Sequence, residues 1–326
     1  MSLLLFSIFG SFSLIILFYN SKKLSVVTGL YKKTHDNTPL TGGLGIYLFF
    51  ILGLISYYFN DHNLIKENFY LIFFISLIFF VGLIDDIYNI SYKIRLLSIF
   101  IILFIFLKLD NRFLVYEFYF ETFKSTYVIK EMSYILTPLF IMLLLNSMNM
   151  ADGINGNSGL IFLSYFLILF ESNNHLNIFL ILIIISLIIF LFFNLNKKLY
   201  MGDSGIYFIS MLVSLYVIDK YKFGMTGLSC EKIFLIFMIP GIDMFRLFCI
   251  RIFNRKNPFK GDLNHLHHLL IHKFTLPTSL IIYLTLIIWP NIFDYIFSIK
   301  NFYLIFFNIL IYIFLIFYLK KLKKFS

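Results

Sequence analysis

The sequence predicts an all-α polytopic membrane protein, read as a single integral domain over residues 1–326. Three observations carry this. Of its 326 residues, 60% are hydrophobic and 21% aromatic. Mean hydropathy is +0.89, far above that of a soluble domain. The apolar residues also fall into eleven runs separated by short polar segments. The formal net charge of +10 would suit a nucleic-acid partner. However, Lys and Arg sit in the short segments between runs, a topological pattern, so no nucleic acid is expected.

The runs lie at about 3–18, 42–59, 69–84, 93–108, 132–147, 157–171, 175–193, 204–218, 231–249, 276–293 and 301–319. Each is read as a spanning helix, although several fall short of the ~20 residues of an ideal span. The first run lacks a preceding positive segment and is followed by Lys22 and Lys23. This predicts a spanning helix with its N-terminus outside, not a cleaved signal peptide. With that orientation, 18 of the 27 basic residues fall on the inner side, among them Lys32, Lys33, Arg95, Arg246, Lys260 and Lys324. Residues 109–131 alternate in polarity and read as an outer hairpin or surface element. Cys230 and Cys249 lie on one predicted helix, about 28 Å apart, too far for a disulfide.

The polar stretches with chemical character all fall on the inner side. The central one is Asn146–Leu160, NSMNMADGINGNSGL, a Gly-rich interruption between two apolar runs. Bilayer core cannot hydrate such groups, so this loop is expected at a surface or a wet cavity. Its glycines would turn backbone amides toward an anion. It can also be read as a connecting turn with helix caps. Asp85 and Asp86 end the third run, where two carboxylates meet the negative end of a helix dipole and repel each other. A Lys or a divalent cation would relieve them; an ordinary wet helix end is the alternative. Asp203 opens the eighth run, as an N-cap or as a Mg²⁺ ligand. Asp243 and Arg246 stand i,i+3 inside the ninth, which suits a structural ion pair or a polar cavity. Arg251–Leu270 is basic and His-rich. If 262–272 is helical, His265, His268 and His272 share a face and His267 points away. Phosphate binding is preferred there over zinc, because no Cys and few carboxylates lie alongside.

Five segments occur in a fixed order: TPLTGG at Thr38–Gly43, GLIDD at Gly82–Asp86, NSMNMADGING at Asn146–Gly156, MGDSG at Met201–Gly205 and DLNHLHHLL at Asp262–Leu270. On these the chain resembles the polyprenyl-phosphate N-acetylhexosamine-1-phosphate transferases (glycosyltransferase family 4). The HLHH form at His265–His268 resembles the WecA-like branch more than the MraY-like one. Asn89 and Asn155 stand where many relatives carry acids, Ile206 replaces a common Ser, and His35 is one position out of register.

The resemblance implies transfer of an amino-sugar 1-phosphate from a UDP-amino sugar to undecaprenyl (polyprenyl) phosphate, with release of UMP. GlcNAc is the expected donor sugar; GalNAc and a 6-deoxy amino sugar are alternatives. It implies the catalytic residues Asp85, Asp86 and Asp203, with Mg²⁺ (or Mn²⁺) held by Asp203 and helped by Asp86. It implies substrate binding by Asn146, Asn149, Asp152, Asn155, Arg251, His265, His267 and His268. It further implies a bacterial inner-membrane location amid membrane lipid, an active site facing the cytoplasm, and room for a homodimer. A secondary transporter of an anionic solute is the rival class, but such proteins place their sites near the midplane, often with repeated halves. No such repeat is visible here.

Overall fold

A computed structural model describes residues 2–23, 31–32, 38–59, 62–170, 176–222, 228–258 and 262–323. Lys33, His35, Lys260 and Lys324 lie outside the described residues. The chain is an all-α membrane protein: helices run over every one of the eleven apolar segments. They are α1 (Ser2–Tyr19), α2 (Gly42–Tyr58), α4 (Phe69–Tyr88), α5 (Tyr92–Leu109), α6 (Ser133–Ala151), α7 (Asn157–Leu169), α8 (Asn177–Leu195), α9 (Gly202–Lys222), α10 (Cys230–Phe253), α12 (Leu276–Phe297) and α13 (Asn301–Lys323). Two short helices, α3 (His62–Glu67) and α11 (Leu266–Ile271), lie between them.

Eleven spans were expected. Among the described residues, six helices are long and apolar enough to cross a bilayer: Phe69–Tyr88, Lys130–Ala151, Asn177–Leu195, Cys230–Phe253, Leu276–Phe297 and Asn301–Lys321. The others depart for identifiable reasons. Gly42–Tyr58 and Asn157–Leu169 are apolar but shorter. α5 carries Lys93, Arg95 and Lys108, and α9 carries Asp203, Asp219 and Lys220. The segment expected to be a hairpin is one: β3 (Glu117–Phe120) pairs antiparallel with β4 (Ser125–Val128), Glu117 opposite Val128 and Phe120 opposite Ser125. A two-residue bridge joins β1 (Tyr31–Lys32) to β2 (Thr38–Pro39).

The chain forms two compact units. The first comprises Met1–Leu114, Tyr134–Leu145 and Leu169–Tyr216. Lipid tails are as apolar as Leu, so helices in a bilayer associate through close packing, aided by small residues. The motif glycines do this work here. A Cβ on Gly43 would lie 2.3 Å from the Gly205 amide nitrogen, and one on Gly82 2.5 Å from the Ser204 Cα. Both helices therefore approach the start of α9 backbone to backbone. The Gly42 and Gly43 amides donate to the Tyr200 and Met201 carbonyls at 3.0 and 2.8 Å. Above these contacts Tyr47 stacks on Phe79 at 3.9 Å, and Phe208 meets Phe50 edge-on at 5.1 Å.

The second unit comprises Val115–Ser133, Asn146–Ile168 and Val217–Ser326. α10, α12 and α13 pack together with α11 against them. Trp289 donates to Asn308, whose amide donates to the Leu286 carbonyl, a polar tie between α12 and α13. The hairpin is fastened to α10 at its turn: Glu231 accepts from the Glu121 and Thr122 amides, each at 3.0 Å. Pro240 lies inside α10, which continues through it to Phe253. Cys230 and Cys249 are both free, as their spacing requires.

Candidate active site

In the first unit the structure brings Asp85, Asp86 and Asp203 together. Asp85 and Asp86 occupy the last turn of α4. The helix stops there because Asn89 takes a left-handed conformation (φ 51°), which Asn tolerates well. Ser91 then caps α5, whose first turn carries Arg95. The Arg95 guanidinium donates to Asp85 at 2.6 Å and to Asp203 at 3.3 Å, with Tyr207 beneath it at 5.9 Å. The sequence counts Arg95 among the inner-side basic residues and gives it no site role. Its true distinction, a position one turn into α5 opposite two acids, is not visible in a charge count.

Asp86 does something different. Its two oxygens accept from the Asp203 and Ser204 amides at 2.8 and 3.0 Å. It thus caps α9 from another helix, satisfying donors that have no partner within their own helix. Asp203, expected as a possible N-cap, lies in the first turn of α9 and leaves the capping to Asp86. Gly202 is needed between them. Its φ is +77°, and a Cβ would lie 2.7 Å from an Asp86 oxygen. Asp203 keeps 28% of its side chain exposed against 6% for Asp85, so Asp203 is the more accessible of the two carboxylates on Arg95.

Two carboxylates, Asp85 and Asp203, face one guanidinium, and Asp86 lies alongside on the Asp203 and Ser204 amides. Fully ionised, the three carboxylates leave two net negative charges, partly balanced by the positive end of α9. Oxygen donors with that excess charge suit a hard divalent cation, which typically takes one or two carboxylates and completes its shell with water and phosphate. Among the described residues no group of three or more His, Cys, Asp or Glu side chains is arranged to hold a metal ion.

In the second unit the loop read as an interruption over 146–160 is shorter than expected. α6 continues through Asn146 and Asn149 to Ala151, so these two asparagines stand on its last turns, three residues apart on one face. The turn itself is Asp152–Gly156. Ser158 donates to the Asp152 carboxylate, and the Asn157 amide donates to the Ala151 carbonyl at 2.8 Å, closing the turn. Asn155 Oδ1 is buried without a partner among the described residues. Only Gly156 in this turn has a positive φ, 83°. Gly153 is there for room: a Cβ would lie 2.0 Å from His267 Nε2 and 2.8 Å from His268 Nε2. The ADGING turn and the HLHH segment are therefore in contact.

His267 does not point away. The expectation assumed a helix from 262, whereas α11 begins at Leu266, with His265 extended at its N-cap (φ −63°, ψ 151°). That entry stacks the His265 and His267 rings at 5.6 Å and 10°, and sets His267 4.2 Å from the His268 ring. His272 is exposed. His267 is 1% exposed, and neither of its ring nitrogens has a partner among the described residues. Burial, together with His268 and His265 alongside, pulls its pKa down to about 3, so the ring is neutral at neutral pH. A buried, unpaired polar group is costly unless a ligand completes it.

Arg251 is buried and committed within the protein. It donates to Asp262 and to the Pro258 carbonyl at 2.9 and 2.8 Å, holding the segment that leads into HLHH. Burial alone would raise the Asp262 pKa, but the Asn264 amide and Arg251 hold it below the usual carboxylate range. Asp243, assigned no site role from sequence, accepts from His265 Nδ1 at 2.8 Å.

The sequence profile of glycosyl transferase family 4 matches residues 68–220, the stretch from α4 to α9. Among similar proteins is an undecaprenyl-phosphate alpha-N-acetylglucosaminyl 1-phosphate transferase of Escherichia coli strain K12. It is 27% identical over 281 residues, 80% of this chain and 74% of that protein. The Salmonella typhi protein of the same name is 28% identical over 277 residues, 78% and 73% of the two chains. A Bacillus subtilis protein described as a probable undecaprenyl-phosphate N-acetylglucosaminyl 1-phosphate transferase is 28% identical over 252 residues, 74% and 68%.

Proposed function

We propose that the chain, which matches glycosyl transferase family 4 over residues 68–220, acts as a member of that family and transfers GlcNAc-1-phosphate from UDP-GlcNAc to undecaprenyl phosphate, releasing UMP. The observation that carries this reading is the cluster of Asp85 and Asp203 on one guanidinium, with Asp86 ordering the helix that presents Asp203.

Donor and acceptor are both anionic, so transfer needs charge neutralisation and alignment more than covalent help. Asp203 would be the principal ligand for Mg²⁺ or Mn²⁺, and Asp86 would contribute through the lone pairs its two amide contacts leave free. When bound there, such a cation would supply neutralisation of the donor diphosphate. Asp85 contacts the lipid phosphate. A phosphate monoester with a second pKa near 6 is already mostly dianionic at neutral pH, so proton removal by Asp85 adds little. Arg95 has the planar fork suited to a phosphate oxygen pair. His267 and His268 donate to substrate phosphate, His265 is held in register beside them, and Arg251 supports this segment from behind. Asn146, Asn149, Asp152 and Asn155 position the nucleoside or sugar. The chain sits in the bacterial inner membrane with these residues at the cytoplasmic side, where the lipid phosphate lies.

The test uses purified protein, undecaprenyl phosphate and Mg²⁺ with UDP-GlcNAc, UDP-GalNAc and a UDP-6-deoxy amino sugar. UMP release with UDP-GlcNAc is expected, lost in excess chelator and regained with Mg²⁺ or Mn²⁺. Release with another donor alone would reassign the sugar. No release from folded protein, combined with solute counterflow in proteoliposomes, would favour the transporter class.

A further inference from the structure

The sequence suits Asp243 either to an ion pair with Arg246 or to a polar cavity, and the pair exists at 2.9 Å. An ion pair would need nothing more, yet most of the hydrogen bonds to this carboxylate go elsewhere. Asp243 is buried. Besides Arg246 it accepts from His265 Nδ1 at 2.8 Å, from the Leu266 amide at 3.2 Å and from the Tyr312 hydroxyl at 2.7 Å. Arg246 in turn donates to the Tyr312 oxygen at 2.8 Å and to the Asn264 carbonyl at 2.7 Å. The network therefore grips three consecutive residues, Asn264, His265 and Leu266, and anchors them to α10 and α13. His265 has no side-chain cap bond of its own, so the Leu266 amide, an orphan donor of α11, is satisfied by Asp243.

The chemical consequence concerns a proton. Arg246 already balances the Asp243 charge, so what Asp243 gives His265 is orientation. A carboxylate at Nδ1 places the imidazole proton there and leaves the Nε2 lone pair facing away. The His265 ring lies parallel to His267, which with His268 converges on Gly153. Orientation set at Asp243 is thus handed along the imidazoles to the ADGING turn.

We infer that Asp243 is a positioning residue: it fixes His265 as the Nδ1–H tautomer and registers His267 and His268 against Gly153, with Tyr312 as its second support. This rests on the transferase reading for its effect on turnover, but not for its effect on the tautomer.

The experiment is long-range ¹H–¹⁵N correlation at pH 8 on the full chain with ¹⁵N-labelled histidine in nanodiscs, His265 being assigned by its absence in His265→Gln. The wild type is expected to show the Nδ1–H form. Asp243→Asn, which presents an amide N–H₂ in place of an acceptor, is expected to switch it to Nε2–H. The kcat for UMP release should then fall about 10–100-fold, the range typical of removing a carboxylate that orients a functional histidine. Tyr312→Phe leaves the His265 bond intact and should keep the tautomer. An Nε2–H or averaged signal in the wild type overturns the inference and needs no variant to fold. An unchanged tautomer in Asp243→Asn, or a switched tautomer with unchanged kcat, overturns it equally. Absence of UMP release in the wild type would fault the transferase reading, leaving the tautomer result to stand separately.

Discussion

Gly153→Ala tests whether the ADGING turn and the histidines act together. The added Cβ would lie 2.0 Å from His267 Nε2. Ordinary contact begins near 3.4 Å, so the imidazole or the turn must move by 3.4 − 2.0 = 1.4 Å. His267 has little room to yield, being buried, stacked on His265 and set at a tilt against His268. Overpacking of this kind costs about 1–3 kcal/mol. Displacing a substrate-positioning group by about 1 Å costs roughly 100-fold in rate. The expected outcome is a stability loss of that size and a kcat for UMP release about 100-fold lower. Stability is read by thermal unfolding in detergent and turnover by coupled UMP detection. Gly156→Ala is the control: its φ of 83° costs about 1–2 kcal/mol in any residue with a Cβ, a strain of the backbone and not of packing. It should lose stability and keep most of its turnover. In a His267→Ala background the stability cost of Gly153→Ala should largely vanish, because contacting residues are not additive. Normal turnover in Gly153→Ala, or the same stability cost in both backgrounds, would refute the contact.

Asp203→Asn should abolish UMP release while thermal unfolding stays near wild type, since the Asp86 cap binds the backbone at 203 and not its side chain; near-normal turnover would remove Asp203 from cation binding. The low pKa of His267 also makes stability pH-dependent. The folded value is about 3 against about 6.5 unfolded, so between them the unfolded chain binds the extra proton. Its contribution is complete above about pH 6.5 and is lost as pH falls toward 3, by up to about 1.4 kcal/mol per pH unit. Unfolding scans from pH 8 to 5 should show this slope in the wild type and a flatter one in His267→Gln; identical slopes would contradict it.

Several features were legible in the sequence because the physics behind them is local. A bilayer leaves an apolar run of about 20 residues few options but the helix, since only a helix satisfies its own amides. That is why all eleven runs lie on helices. Aspartates inside or at the end of such runs are costly enough to announce a role, which singled out Asp85, Asp86 and Asp203. The Glu117–Val128 hairpin followed from alternation of period two.

The tertiary structure decided what each group does, because that depends on contacts between residues distant in the chain. Nothing in GLIDD distinguishes Asp85, paired with Arg95, from Asp86, whose two oxygens cap a helix starting at Gly202. Arg95 looks like any inner-side cation until α5 carries it to two acids. A helical wheel sent His267 away from its neighbours, because sequence periodicity assumes where a helix begins, and here it begins at Leu266. Asp243 and His265 are 22 residues apart, and their meeting is set to within a hydrogen-bond length by how α10, α11 and α13 pack. Hydropathy shows which residues leave water; tenths of an ångström, fixed by glycine contacts and buried carboxylates, show which of them meet.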